Sequence, residues 1–144
     1  MDESTTKQLA DILSDIHDEK KMEQYLSHPK VKDSFTSFVP YYRSLPAVQT
    51  YTDTDLIKLS GIERSYYYQI MKETRKPSRD KILRLALGAG LTLRETTRCL
   101  ELGGMAPLYP KNRRDIIITV AINQKAGVVD TNLLLDQYGE EVIG

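Results

Sequence analysis

Apolar positions recur at spacings of three and four along most of the chain, and no stretch alternates with the period of two that a half-buried strand requires. Between about residues 5 and 16, Leu9, Ile12, Leu13 and Ile16 line one face of an amphipathic helix. A shorter helix carries Met22, Tyr25 and Leu26 and stops before Pro29, because proline disfavours helix at the residue preceding it. Phe35, Phe38, Val39, Tyr42 and Leu45 repeat the spacing, with Pro40 inside the pattern. An interior proline costs about 3 kcal/mol, so this helix is expected to start late, with Pro40 in its first turn.

From Tyr51 onward, caps and glycines punctuate the chain. Thr52 with Asp55 makes an N-terminal capping pair, Tyr51 and Leu56 are spaced as a hydrophobic staple, and the helix they open ends at Ser60 and Gly61. The next helix spans about 64–72. Ser78 caps another over 79–88, and Thr92 with Glu95 forms a capping box for a helix ending at Gly103 and Gly104. "MAPLYPKN" is a proline-bounded loop. Helices over about 113–125 and 131–138, the last capped by Asp130 and ended by Gly139, complete an all-α reading.

Three features of composition change this picture. The longest apolar runs, 116–118 and 133–135, are far too short to cross a bilayer, and the acidic, polar start lacks the pattern of a signal peptide. The single cysteine, Cys99, cannot form an internal disulfide, so a reducing cytoplasm is expected. The formal net charge of zero hides an uneven distribution. Residues 61–115 carry twelve basic against six acidic side chains, whereas 1–36 carry five against eight and 116–144 one against four. A basic centre between acidic ends points to a polyanionic partner; the bland alternative is a solvated face.

The centre also holds three consecutive tyrosines. At about 100° per residue, Tyr67 and Ile70 fall on one side of the helix, with Tyr66 and Met71 on its margins. Ser65, Tyr68, Gln69 and Lys72 fall on the opposite, exposed side. Gln can pair with adenine at two points, Ser can bond a base edge or phosphate, and Tyr can pack on a thymine methyl. Lys72, Arg75, Lys76 and Arg79 follow where cations meet a phosphate backbone.

The stretch from Thr52 to Leu93 resembles, without gaps, the lambda-repressor-like (XRE-type) helix-turn-helix DNA-binding domain. The resemblance rests on Ser60-Gly61, Arg64-Ser65-Tyr66, Arg75-Lys76-Pro77-Ser78 and Gly90-Leu91, and covers about a third of the chain. It implies a helical bundle at 33–104, extended by an N-terminal helical segment at 1–32 and a C-terminal helical hairpin at 105–144 packed on the core. It also implies a bacterial transcriptional regulator, with the helix at 64–72 entering the major groove. Arg64, Ser65, Tyr68 and Gln69 would then face the groove, and Thr54 would touch phosphate.

Three positions depart from that family: Glu63 replaces a small cap, Glu73 replaces a glycine, and Pro40 and Pro46 lie in the leading arm. The two carboxylates favour the alternative function, a protein-interaction adaptor that keeps the repressor-like fold. Arg113 and Arg114 read as a basic helix start, with further phosphate contacts as the alternative. Duplex DNA is the expected partner. A second copy of the chain could pack on 116–120 and 133–135, and a protein could dock on the acidic N-terminal or the C-terminal helices; no membrane partner is indicated. His17 and His28 have no companions at ligand spacing and no phosphate-loop motif occurs, so neither an enzyme, a metal site nor a cofactor is expected.

Overall fold

Helix is the sole regular structure in the computed structural model, which describes residues 3–27 and 35–144. Ten helices and no strand occur among the described residues, in keeping with the all-α reading. The chain divides into two compact units, Met1–Phe35 and Thr36–Gly144.

In the first unit, α1 (Glu3–Ser14) is followed by α2 (Glu19–Leu26), whose Asp18 cap accepts the Lys21 amide at 2.7 Å. The expected stripe on α1 divides: Leu9 is buried and Ile16 half-buried, while Ile12 and Leu13 are exposed. His28, Pro29 and the boundary drawn at 32–33 fall outside the described residues.

The second unit opens with α3 (Phe38–Ser44), which starts late and carries Pro40 as its third residue, where no intrahelical donor is lost. Pro46 then begins a separate turn, α4 (Pro46–Gln49). The helix expected through Leu45 ends there, with Leu45 extended at ψ 131°, and α4 lies beyond that expectation. α5 (Asp53–Ser60), α6 (Arg64–Met71), α7 (Arg79–Ala89) and α8 (Leu93–Leu102) follow, with both capping boxes formed. α9 (Arg113–Asn123) is capped by Asn112. α10 (Val128–Gln137) starts three residues earlier than expected, because Gly127 serves as its cap and Asp130 lies inside the first turn. There a carboxylate complements the helix dipole instead of capping.

α7 is the centre of this unit. Ile82, Leu83, Leu85, Ala86, Leu87 and Ala89 are all buried, so apolar side chains leave it in nearly every direction. On one side Gly88 lets α5 come close, since a Cβ there would lie 2.9 Å from the Ser60 amide. On another, buried Tyr42 of α3 donates its hydroxyl to the Leu85 carbonyl at 2.9 Å. Ile118, Ile122, Val128 and Leu135 of α9 and α10 join the same hydrophobic cluster.

The polar start of α7 is tied to α9 and the loop before it. Arg79 makes two hydrogen bonds of 3.0 Å to Asp115 and donates to the carbonyls of Ala106 and Pro107. Asp115 is 5% exposed and also accepts the Tyr109 amide at 3.0 Å. Burial alone would raise its pKa. The hydrogen bonds from Arg79 and Tyr109, with the charges of Arg79 and Arg114, outweigh burial and hold the carboxyl below its usual range.

A group whose pKa is lowered by folding stabilises the fold above its unfolded pKa of about 3.9 and loses that contribution as pH falls through its folded value. Asp115→Asn is therefore expected to cost about 3 kcal/mol at pH 7. Urea titrations should show the wild-type and variant curves converging below about pH 4. A stability difference unchanged from pH 7 to pH 3 would show that the charge of Asp115 contributes nothing.

Candidate nucleic-acid interface

The corner between α5 and α6 is built by a glycine and an arginine. Gly61 ends α5 in the left-handed region at φ 68°, and a Cβ on it would lie 2.8 Å from Arg84 Nη1. That same nitrogen donates to the Ser60 carbonyl at 3.0 Å. Ile62, only 2% exposed, then plugs the corner into the core.

Glu63 caps α6 with both carboxylate oxygens, accepting the Ser65 and Tyr66 amides at 3.0 Å each. A small capping side chain reaches one amide; the longer carboxylate reaches two. The departure at Glu63 therefore has a structural use. A helix N-terminus is a natural site for a phosphate, and this one is already occupied by an anion.

The far end of α6 departs as well. Lys72 is the terminal cap and Glu73 follows at φ 60°, the left-handed conformation that glycine adopts freely. The Glu73 amide donates to Ile70 at 2.9 Å and the Thr74 amide to Gln69 at 3.0 Å, closing the end as a glycine would.

Between these ends, Tyr67 and Ile70 are wholly buried and Met71 nearly so. The Tyr67 hydroxyl emerges at the core's edge and donates to Asp53 Oδ1 at 2.7 Å, where Arg43 approaches the same oxygen at 3.4 Å. Burial and then the Asp53 hydrogen bond push the Tyr67 pKa up, so the phenol stays protonated as a donor.

Ser65, Gln69 and Lys72 are exposed together on the opposite side, and Tyr66 is intermediate, as the helical wheel requires; Arg64 is exposed in the first turn. Tyr68 differs from expectation. It is half-buried, packs against the core cluster and meets the Tyr67 ring edge-on at 5.4 Å. A ring is long enough to fold back onto a neighbouring surface that its Cα direction does not face.

The cations do not act as one set. Arg75 lies over the Tyr66 ring, 3.8 Å from its centroid, with Nη1 3.4 Å from Gln69 Oε1. Lys81 approaches the same ring at 5.3 Å. Lys72 and Lys76 are exposed. Arg79 is half-buried and turned inward to Asp115, away from this group. Thr54 is exposed but stands between Asp53 and Asp55 in the acidic first turn of α5.

Sequence reasoning missed two features of this site: the stacking of Arg75 on Tyr66 and the bracing of the corner by Arg84. Neither leaves a local signal, since each joins residues nine or more positions apart. Among the described residues no cluster of His, Cys, Asp or Glu could hold a metal ion. Cys99 is buried, and burial followed by the nearby Glu95 pushes its thiol up to about 12, which leaves it unreactive. No protein-family model matches the chain, and no curated protein or solved structure matches it.

Two stability measurements check this geometry. Glu73→Gly is expected to raise stability by about 0.5–1 kcal/mol, because relief of the left-handed strain exceeds the added freedom of the unfolded chain. A lowered melting temperature would contradict the strain. Tyr67→Ala should cost about 3–5 kcal/mol and Tyr68→Ala about 1 kcal/mol. Equal losses would mean that the two rings are buried alike.

Proposed function

We propose that the unit Thr36–Gly144 binds duplex DNA by laying α6 in the major groove, as a regulator of transcription. The observation that carries this reading is the arrangement around Gln69. One side of α6 is rooted in the core by Tyr67 and Ile70, which leaves Ser65, Gln69 and Lys72 exposed on the other, with Arg64 exposed in the first turn. Arg75, stacked on Tyr66, holds a guanidinium beside the Gln69 amide, so two groups suited to base edges are presented together with little freedom to lose. Lys72 and Lys76 flank them as phosphate contacts. The resemblance of this stretch to repressor-like domains supports the same reading. Tyr68 contributes an edge and not a whole ring, and Arg79 and Thr54 stand outside the face.

A second reading has its own support. Glu63 fills the anion site at the α6 N-terminus, and Glu73 lies just past the other end. A protein partner carrying basic side chains fits such a face better than phosphate does, which is the adaptor function.

Selection of duplexes from a random library by the full chain separates the two. A recovered site should lose about 1–3 kcal/mol of discrimination at one base pair in Gln69→Ala. Lys76→Ala should weaken all sequences alike, and Glu63→Ser should tighten binding by removing the anion while keeping a cap. No enrichment at low salt, or an unaltered preference in Gln69→Ala, would transfer the face to the adaptor reading.

A further inference from the structure

Residues 140–144 form neither helix nor strand, yet side chains of three helices bind both backbone groups of Ile143 and Gly144 and the carbonyls of Glu141 and Val142. Arg114 of α9 donates from Nε to the Glu141 carbonyl at 2.8 Å and from Nη2 to the Val142 carbonyl at 3.1 Å. Asn132 of α10 takes both groups of Ile143, accepting its amide at 2.8 Å and donating to its carbonyl at 3.2 Å, as a neighbouring strand would. Arg84 of α7 donates to Ile143 at 2.8 Å and to Gly144 at 3.0 Å, and Asp80 accepts the Gly144 amide at 3.0 Å.

Two side chains of the segment add selectivity. Ile143 is 0% exposed within the hydrophobic cluster, and Glu140 accepts from Arg113 Nε at 2.7 Å. Glu141 and Val142 between them are exposed. Backbone-directed hydrogen bonds with one apolar pocket are the means by which receptors hold peptides.

Three of the gripping side chains, Arg114, Asp80 and Arg84, also have partners outside the segment. Arg114 pairs with Asp80 at 3.1 Å, and Arg84 Nη1 holds the Ser60 carbonyl at 3.0 Å. Both arginines are thus held from two sides, by the segment and by the bundle. Release of the segment exchanges its hydrogen bonds for bonds to water and uncovers Ile143 together with the apolar pocket it fills. Gly139, at φ 73°, supplies the turn between α10 and the segment.

We propose that the groove between α7, α9 and α10 is a peptide-binding site, occupied in cis by residues 140–144. The ligands it takes in trans are short peptides with an acidic residue three positions before an aliphatic one. Because Arg84 grips both the segment and the corner before α6, exchange of the occupant is felt at that corner. The proposal is independent of what α6 binds.

The test uses the full chain with Ile143→Asp, which vacates the pocket, and a fluorescent synthetic peptide of sequence GEEVIG. The variant should keep its helical circular dichroism and bind the peptide at least tenfold more tightly than the wild type, whose site is already filled. A peptide with aspartate in place of the isoleucine should not bind. In the wild type, hydrogen exchange at the amides of Ile143 and Gly144 should run at least tenfold faster than at the buried centre of α7. A variant that unfolds, a folded variant that ignores the peptide, or Ile143 exchanging as slowly as α7 would each overturn the proposal.

Discussion

α7 is buried on nearly all sides, and that constraint organises the second unit. A helix whose apolar residues point in every direction must be wrapped by other helices, and its few polar side chains must find partners at close range. Arg79, Asp80 and Arg84 are three of those four side chains, Lys81 being the other. Arg79 holds Asp115 and the loop before α9, Asp80 holds Arg114 and the Gly144 amide, and Arg84 holds the α5–α6 corner and residues 143–144. Part of the charge that appears in the sequence as a surface property thus fastens the fold.

The position of α6 follows from this arrangement. Its base, Tyr67 and Ile70, rests in the core, and its entry corner is braced by an arginine of the central helix. Both ends are closed by glutamates. Glu63 does so at the expense of an anion site, and Glu73 at the expense of a left-handed backbone. Strained backbone persists where the surroundings over-determine it, and here two amide hydrogen bonds and the packed helix do so. The face between them is anchored at both ends, and its side chains are exposed or lightly held.

Much of the fold was legible in local pattern. The capping boxes at Thr52 and Thr92, the late start of α3 around Pro40 and the side of α6 that Tyr67 occupies all follow from spacing of a few residues. The short turn after Pro46 and the early start of α10 were missed: the first lies beyond the apolar pattern that ended at Leu45, and the second is opened by Gly127, which has no side chain to mark a cap. The candidate site was legible only in part. Periodicity separates Gln69 and Lys72 from Tyr67, but it cannot tell Arg75, folded over a tyrosine, from Arg79, bound to a buried aspartate 36 residues on. Counting charges along the chain treats every arginine alike, and Arg79, Arg84, Arg113 and Arg114 all donate to backbone carbonyls.

This division of the basic residues has a direct physical consequence. Counterion release counts the cations that reach phosphate, at about 0.9 in the logarithmic salt slope for each contact on duplex DNA. A salt titration of the full chain on a random duplex should give a slope of about −3 to −4, from Arg64, Lys72, Arg75 and Lys76 alone. Arg114→Gln, compared at conditions where it is folded, should leave that slope unchanged. A slope near zero would contradict binding through α6, and a slope that falls by about one unit in Arg114→Gln would return the internal arginines to the surface.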